Sequence, residues 1–313
     1  MFFYAPMALA VAAVLAVSGC GSRDPFYARN LTLIDTLHAH DTISQPSRKY
    51  VIRGGAGQLF YLEDVRAAVT KWGSLESNAE AIGRLSADLS AKGKRLLVVP
   101  VPTKVETYPE WLGRADTGEV SPSKERFLAA LAAVGVEFLD LWADFRKAKA
   151  TSRLFPRTDT HWDQSAIDVA ASAISARLRL VRDSAAGAGC DRDTVLFGFR
   201  GDLAEKFQDP ALQAETDTVP LRVACDTAAW PYALSDSARV MLYGDSFLNQ
   251  YKRFGAGLGA RLALRLGEPV RTIYSLAGFT DGPGKMRVLS EEAPGTRVVV
   301  WVFTSRTLME AAR

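Results

Sequence analysis

Three stretches of this chain are apolar at almost every position: Leu96-Leu97-Val98-Val99-Pro100-Val101, Val240-Met241-Leu242-Tyr243 and Val298-Val299-Val300-Trp301-Val302-Phe303. None alternates with polar residues, so none reads as a strand with one wet face. An unbroken run rich in β-branched residues is a strand covered on both sides. Covering both sides of a sheet takes helices between the strands, which predicts an α/β fold with a doubly wound parallel sheet. The intervening segments supply those helices. Asn78 to Lys92 carries Ile82, Leu85 and Leu89 at helical spacing. Ser121-Pro122 opens a helix through Val134 with Phe127, Leu128, Leu131 and Val134 inward, and Leu141 to Lys149 forms another. Asp163 caps a helix to about Leu180 with Ile167, Ala170, Ala171, Ile174 and Leu178 as its stripe. Further elements are a glycine hairpin over Val51 to Leu62, strands at Val136–Leu139 and Val270–Ser275, and helices after residue 247, over 285–292 and over 308–312. Between about 185 and 236 the periodicity is lost, which reads as an irregular insertion.

Sheets of this kind hold their sites at the carboxyl ends of the strands. One such end reads Leu242-Tyr243-Gly244-Asp245-Ser246-Phe247. A serine on a tight turn after a strand has its hydroxyl held out from the sheet and a backbone N–H free for an oxyanion. Serine needs a base, and the chain has three histidines: His38, His40 and His161. The first two sit in a polar stretch and read as surface residues. His161 follows Asp159 by two positions, so both side chains fall on one side of an extended segment. This makes Ser246, His161 and Asp159 the candidate nucleophile, base and orienting acid. Asp245 reads as a turn residue bonding backbone. Lys104, after a Pro-x-Pro at a strand end, is either a charge on the rim or a structural partner. Trp162 is either a platform for a sugar ring or a core residue behind the histidine.

The chain opens with an apolar run from Met7 to Val17 that ends at Ser18-Gly19-Cys20. A short apolar run before small residues and a cysteine reads as a lipoprotein signal over 1–20, with Cys20 lipidated. Residues 21–45 then form a tether and 46–313 the folded domain. Export places Cys190 and Cys225 in an oxidising compartment, where a disulfide across the insertion is the expected use. No metal-ligand spacing is present, and neither metal nor cofactor is expected. The net charge of +3 is spread along the chain without basic runs, which excludes a nucleic-acid-binding role.

Gly244-Asp245-Ser246-Phe247 resembles the nucleophile block of the SGNH hydrolase superfamily. Thr158-Asp159-Thr160-His161-Trp162 resembles the Asp-x-His-Trp block of its alginate O-acetyltransferase branch, the AlgX/AlgJ-like proteins, in which that block precedes the serine. The glycine hairpin, Val99 to Lys104, Arg200-Gly201-Asp202-Leu203, Tyr274 with Gly278, and Val300 to Leu308 are similar to that branch as well. The resemblance implies an SGNH-like domain with permuted block order. It implies acetyl transfer through an acetyl-serine to hydroxyls of an exopolysaccharide or cell-wall glycan, with Trp162, Lys104, Tyr274 and Arg306 as substrate contacts. It also implies a membrane-bound acyltransferase as acetyl donor partner and a periplasmic location. Gly21 after Cys20 is not a retention aspartate, which points the anchor to the outer membrane. Three departures stand out: Asp163-Gln164-Ser165-Ala166 lacks a glycine, no tyrosine adjoins Arg306, and no carbohydrate-binding module precedes Arg313. Polymer recognition is therefore expected on the catalytic face or through a partner. Two other functions fit the same residues: an acetylesterase, with water as acceptor, and a binding lipoprotein without catalysis.

Overall fold

The computed structural model describes residues 51–69, 74–112, 122–178, 191–206, 210, 216–224, 238–310 and 312. The expected lipoprotein signal with Cys20, the expected tether with His38 and His40, and both cysteines of the expected disulfide, Cys190 and Cys225, lie outside the described residues.

The centre is a five-stranded sheet. Its strands are β3 (Arg95–Val101), β4 (Glu137–Phe138), β7 (Val240–Gly244), β8 (Val270–Tyr274) and β9 (Val298–Thr304), in the order β4-β3-β9-β7-β8. Every neighbouring pair is parallel. The three apolar runs are its three inner strands, and they are buried along their length. Alternate residues face opposite sides. On one side Leu97, Val99, Leu242, Val300 and Val302 pack against α5 (Leu141–Ala148), α6 (Gln164–Leu178) and α8 (Leu258–Leu266). On the other side Leu96, Val98, Met241, Val299 and Trp301 pack against α2 (Leu75–Ala91), α4 (Pro122–Ala133) and α9 (Gly282–Glu292). The sheet is thus doubly wound, as expected. No helix among the described residues is long and apolar enough to cross a membrane.

Two small antiparallel sheets flank it. The glycine hairpin is β1 (Val51–Arg53) with β2 (Leu59–Tyr61), followed by α1 (Leu62–Val69). A single helical turn, α3 (Lys104–Thr107), follows β3. The stretch expected to be irregular contains a long hairpin, β5 (Asp191–Phe199) with β6 (Asp217–Ala224), enclosing α7 (Asp202–Lys206). Its signal is hidden because Val195 and Leu196 face solvent at 54% and 72% exposure, which erases the polar half of the alternation. A second difference is at Val134, which is 40% exposed and not inward. The helix ends at Ala133, and the chain turns away through Gly135 in the left-handed region.

Candidate active site

β7 lies between β9 and β8 and ends at Gly244. A β-carbon there would meet the Val302 carbonyl at 1.9 Å, so only glycine lets β7 end against β9. Gly278 covers the same corner; a β-carbon on it would lie 2.7 Å from the Asp245 nitrogen. Asp245 then starts a single 3-10 turn, Ser246–Asn249. Its Oδ1 accepts from the Phe247 N–H at 3.0 Å, and its Oδ2 accepts from the N–H and hydroxyl of Thr304 at 2.7 and 3.0 Å. Both carboxylate oxygens are spent on fixing the turn to the end of β9. Ser246, half-buried, is held out at the carboxyl edge of the sheet. The sequence pattern predicts a helix soon after the serine turn, and the chain makes a second 3-10 turn, Lys252–Phe254, before that helix, α8, begins.

The Asp–His block is an irregular segment between α5 and α6, held from several sides. His161 Nδ1–H donates to Asp159 Oδ1 at 2.8 Å, and the His161 backbone N–H donates to the same oxygen at 2.7 Å. A carboxylate can only accept, so this pairing fixes the proton on Nδ1 and leaves Nε2 for chemistry. Asp159 Oδ2 accepts from the Asp202 N–H at 3.1 Å. The Asp202 carboxylate accepts twice from Thr160, from its N–H at 2.8 Å and its hydroxyl at 3.0 Å. Asp217, from β6, accepts from the N–H groups of Arg157 and Thr158. The Thr158 carbonyl accepts from Leu203 and Ala204 at the start of α7. The insertion therefore shapes the Asp–His loop.

Asp159, His161 and Asp202 offer atoms within 4.8 Å of one another. Both carboxylates are engaged in hydrogen bonds: Asp159 with His161, and Asp202 with Thr160 and with Lys206 at 3.0 Å. The grouping reads as a positioning network, with Asp202 as the member that spacing in the sequence does not single out as a site residue. Burial pulls the His161 pKa down, but the hydrogen bond and charge of Asp159, with Asp202 behind it, outweigh burial and Arg306. The pKa stands above the ordinary imidazole value.

The two blocks meet at Phe247, next to the serine. The His161 ring packs on the Phe247 ring at 5.1 Å between centroids, and the Trp162 ring at 5.4 Å. The Trp162 indole N–H donates to the Phe247 carbonyl at 3.0 Å. Among the described residues no hydrogen bond joins Ser246 to His161; the contact runs through Phe247.

The four expected substrate contacts divide into two pairs. Trp162 is fully buried, so it buttresses the histidine and presents no face to a sugar. Lys104 is 1% exposed, and its ammonium donates to the carbonyls of Leu59, Pro156 and Arg157 at 2.9, 2.7 and 2.8 Å. Burial lowers its pKa to about 7, and it ties the β1–β2 hairpin to the Asp–His loop. Neither reaches the rim. Tyr274, half-buried, ends β8 opposite Gly244. Arg306 follows β9 and donates to the buried Asp64 at 2.7 Å. Its guanidinium lies over the rings of Tyr61 and Phe247, 5.5 and 5.8 Å from their centroids. Burial works against its charge, and Asp64 more than restores it. Arg306 and Tyr274 thus stand beside the serine turn.

Known proteins share this fold. The probable alginate O-acetylase AlgJ of Pseudomonas aeruginosa PAO1 is 31% identical over 139 residues, which is 44% of this chain and 35% of that protein. The AlgJ of Pseudomonas fluorescens is 31% identical over 130 residues, covering 41% and 33%. The chain spans about a third of the length of these curated relatives. Among solved structures, the O-acetyltransferase domain of Pseudomonas putida AlgJ superposes with a TM-score of 0.62 at 23% identity, over 84% of this chain and 93% of that one. Pseudomonas aeruginosa AlgX gives 0.56 at 15%, over 85% and 68%. These likenesses establish a shared fold. Residues 51–304, which take in the whole sheet and both blocks of the site, match the family described as "SGNH hydrolase-like domain, acetyltransferase AlgX", and the chain belongs to that family.

Proposed function

We propose that this protein is an O-acetyltransferase that moves an acetyl group onto polysaccharide hydroxyls through an acetyl-serine at Ser246. The observation that carries the reading is the Asp159–His161 pair, bonded at 2.8 Å and packed on the residue next to the serine. His161 Nε2 takes the Ser246 proton as Oγ bonds the acetyl carbon, and returns it to the leaving group. A sugar hydroxyl then gives its proton to Nε2 as its oxygen bonds the acetyl carbon, and Nε2 passes that proton to Oγ as the acetyl–Oγ bond breaks, which restores the serine and the neutral imidazole. Asp159 keeps the imidazole in the useful tautomer and offsets its charge. The Ser246 N–H is the oxyanion donor in this scheme. Names of relatives support the acetyl group as cargo and a polysaccharide as acceptor. The remaining expectations complete the proposal: a membrane-bound acyltransferase as donor, a lipid anchor on Cys20, and a periplasmic site of action.

The test gives the protein a chromogenic acetyl ester together with oligosaccharides, and weighs the sugars by mass spectrometry. Acetyl on a sugar that disappears in Ser246→Ala establishes transfer. Ester turnover with no acetylated sugar across a broad panel would instead make the protein an esterase.

A further inference from the structure

Arg306 brings a guanidinium to the corner where the serine turn meets the sheet. β9 pairs with β7 as far as Val302 beside Gly244. Two residues on, Thr304 is tied to Asp245, the residue before the serine. Arg306 lies two further along, in the 3-10 turn Ser305–Met309. Its guanidinium covers the Phe247 ring at 5.8 Å, and the His161 ring packs on that same ring at 5.1 Å. Guanidinium and imidazole thus share Phe247, the residue after Ser246. The charge of Arg306 is felt by His161 and by Asp245 alike. Its Nη1 donates to Asp64, and among the described residues no other acceptor meets the group. The Asp64 side chain, from α1, is 2% exposed against 19% for that of Arg306, so the carboxylate is shut in while the guanidinium opens outward. A guanidinium has donors left over after one such bond. Lys104, the other cation that follows an inner strand, has its ammonium spent on three carbonyls.

A largely buried cation with unused donors is costly until an anion meets it. The proposed reaction makes an anion beside Ser246. As Oγ bonds the acetyl carbon, the serine proton goes to His161 Nε2 and the carbonyl π pair moves onto the acetyl oxygen. That pair returns to carbon as the leaving group departs with the proton. The Ser246 N–H supplies one donor to this oxygen, and each further donor fixed in advance lowers the barrier. From this arrangement we infer that Arg306 is a second oxyanion donor, and that Asp64 is the positioning residue that aims it. The inference rests on Ser246 as the nucleophile and holds whether a sugar or water accepts the acetyl group.

The experiment gives the full chain 4-nitrophenyl acetate and, separately, methylboronic acid, whose boron takes the serine oxygen and becomes a tetrahedral anion. Arg306→Gln should lower kcat/KM for the ester by about 10²-fold or more and raise the Ki of methylboronic acid by a comparable factor. Arg306→Lys keeps the charge without the fork and should fall between. Asp64→Asn should move both readings the same way by about tenfold, and Asp64→Glu should recover part of each. Because Arg306→Gln strands a buried carboxylate, the double variant Asp64→Asn with Arg306→Gln is measured beside it, and thermal unfolding checks each fold. A folded double variant with kcat/KM within about threefold of wild type, or a rate loss in which methylboronic acid binds as tightly as before, would overturn the role of Arg306 and leave the nucleophile standing. Ester turnover that persists in Ser246→Ala would overturn the nucleophile, and this inference with it.

Discussion

The indole N–H of Trp162 reaches the carbonyl of Phe247, 85 residues away, at 3.0 Å. This bond joins the residue after His161 to the residue after Ser246. Among the described residues, no other hydrogen bond connects the two blocks at that point. Trp162→Phe keeps most of the ring and removes the donor, leaving a buried carbonyl without a partner. The expected cost is about 1–3 kcal/mol of stability by urea unfolding. The turnover of a small acetyl ester should fall about tenfold, because misplacing catalytic groups by a fraction of an ångström is enough. An unchanged kcat would mean that packing alone positions the histidine.

Ser246→Ala and His161→Ala should each lower ester turnover by at least about 10³-fold, and the double variant should be little worse than either, as for groups that act as one unit. Steady-state rates with purified variants decide it. Retention of most activity in His161→Ala would remove the histidine from the mechanism.

The pH profile follows from the charges around His161. The base must be neutral to accept the serine proton, and Asp159 with Asp202 holds its pKa above the ordinary imidazole value despite burial. Activity should therefore rise with pH through an acid limb placed above the usual histidine range. Asp202→Asn keeps an acceptor for Thr160 but removes a negative charge. The imidazolium loses stabilisation, its pKa falls, and the acid limb of kcat/KM should move to lower pH. A profile that does not move, or moves to higher pH, would show that Asp202 acts on the loop and not on the titration.

Lys104→Met removes three hydrogen bonds from the joint between the β1–β2 hairpin and the Asp–His loop. The change relieves the cost of burying an ammonium but leaves carbonyls of Leu59 and Pro156 without this partner. The net loss should be about 2 kcal/mol in urea or thermal unfolding. Ester turnover should fall as well, since Pro156 and Arg157 lead directly into Asp159. A variant as stable and active as the wild type would show that the carbonyls are satisfied in other ways.

Much of this architecture is legible before folding because burial on two faces leaves a mark. The unbroken apolar runs at 96–101, 240–243 and 298–303 are the inner strands of the sheet, and Asp159 and His161 share one side of a segment as their spacing requires. The less visible features have physical reasons. Pro220 interrupts β6, whose Asp217, Val219 and Leu221 alternate inward, and proline argues against a strand unless it lies at an edge. Lys104 follows a strand end, where a cation normally faces water. Only the folded chain brings three carbonyls around it. Trp162 offers two readings because an indole has both a face and a donor, and its surroundings decide which is used. Asp202 lies 43 residues from Asp159, and its part in the site depends on the path of a hairpin that periodicity does not reveal.

The position of β9 has a consequence for how the chain comes to be. β3 and β7 are both in place by residue 244, yet they do not pair with each other; each pairs with β9, which begins at Val298. Until that last strand slides between them, the serine turn has no Thr304 to anchor Asp245 and the sheet remains two separate pieces. A chain that carries Asp159, His161 and Ser246 but whose residues 298–304 are not yet inserted in the sheet therefore has the candidate site residues without the assembled site.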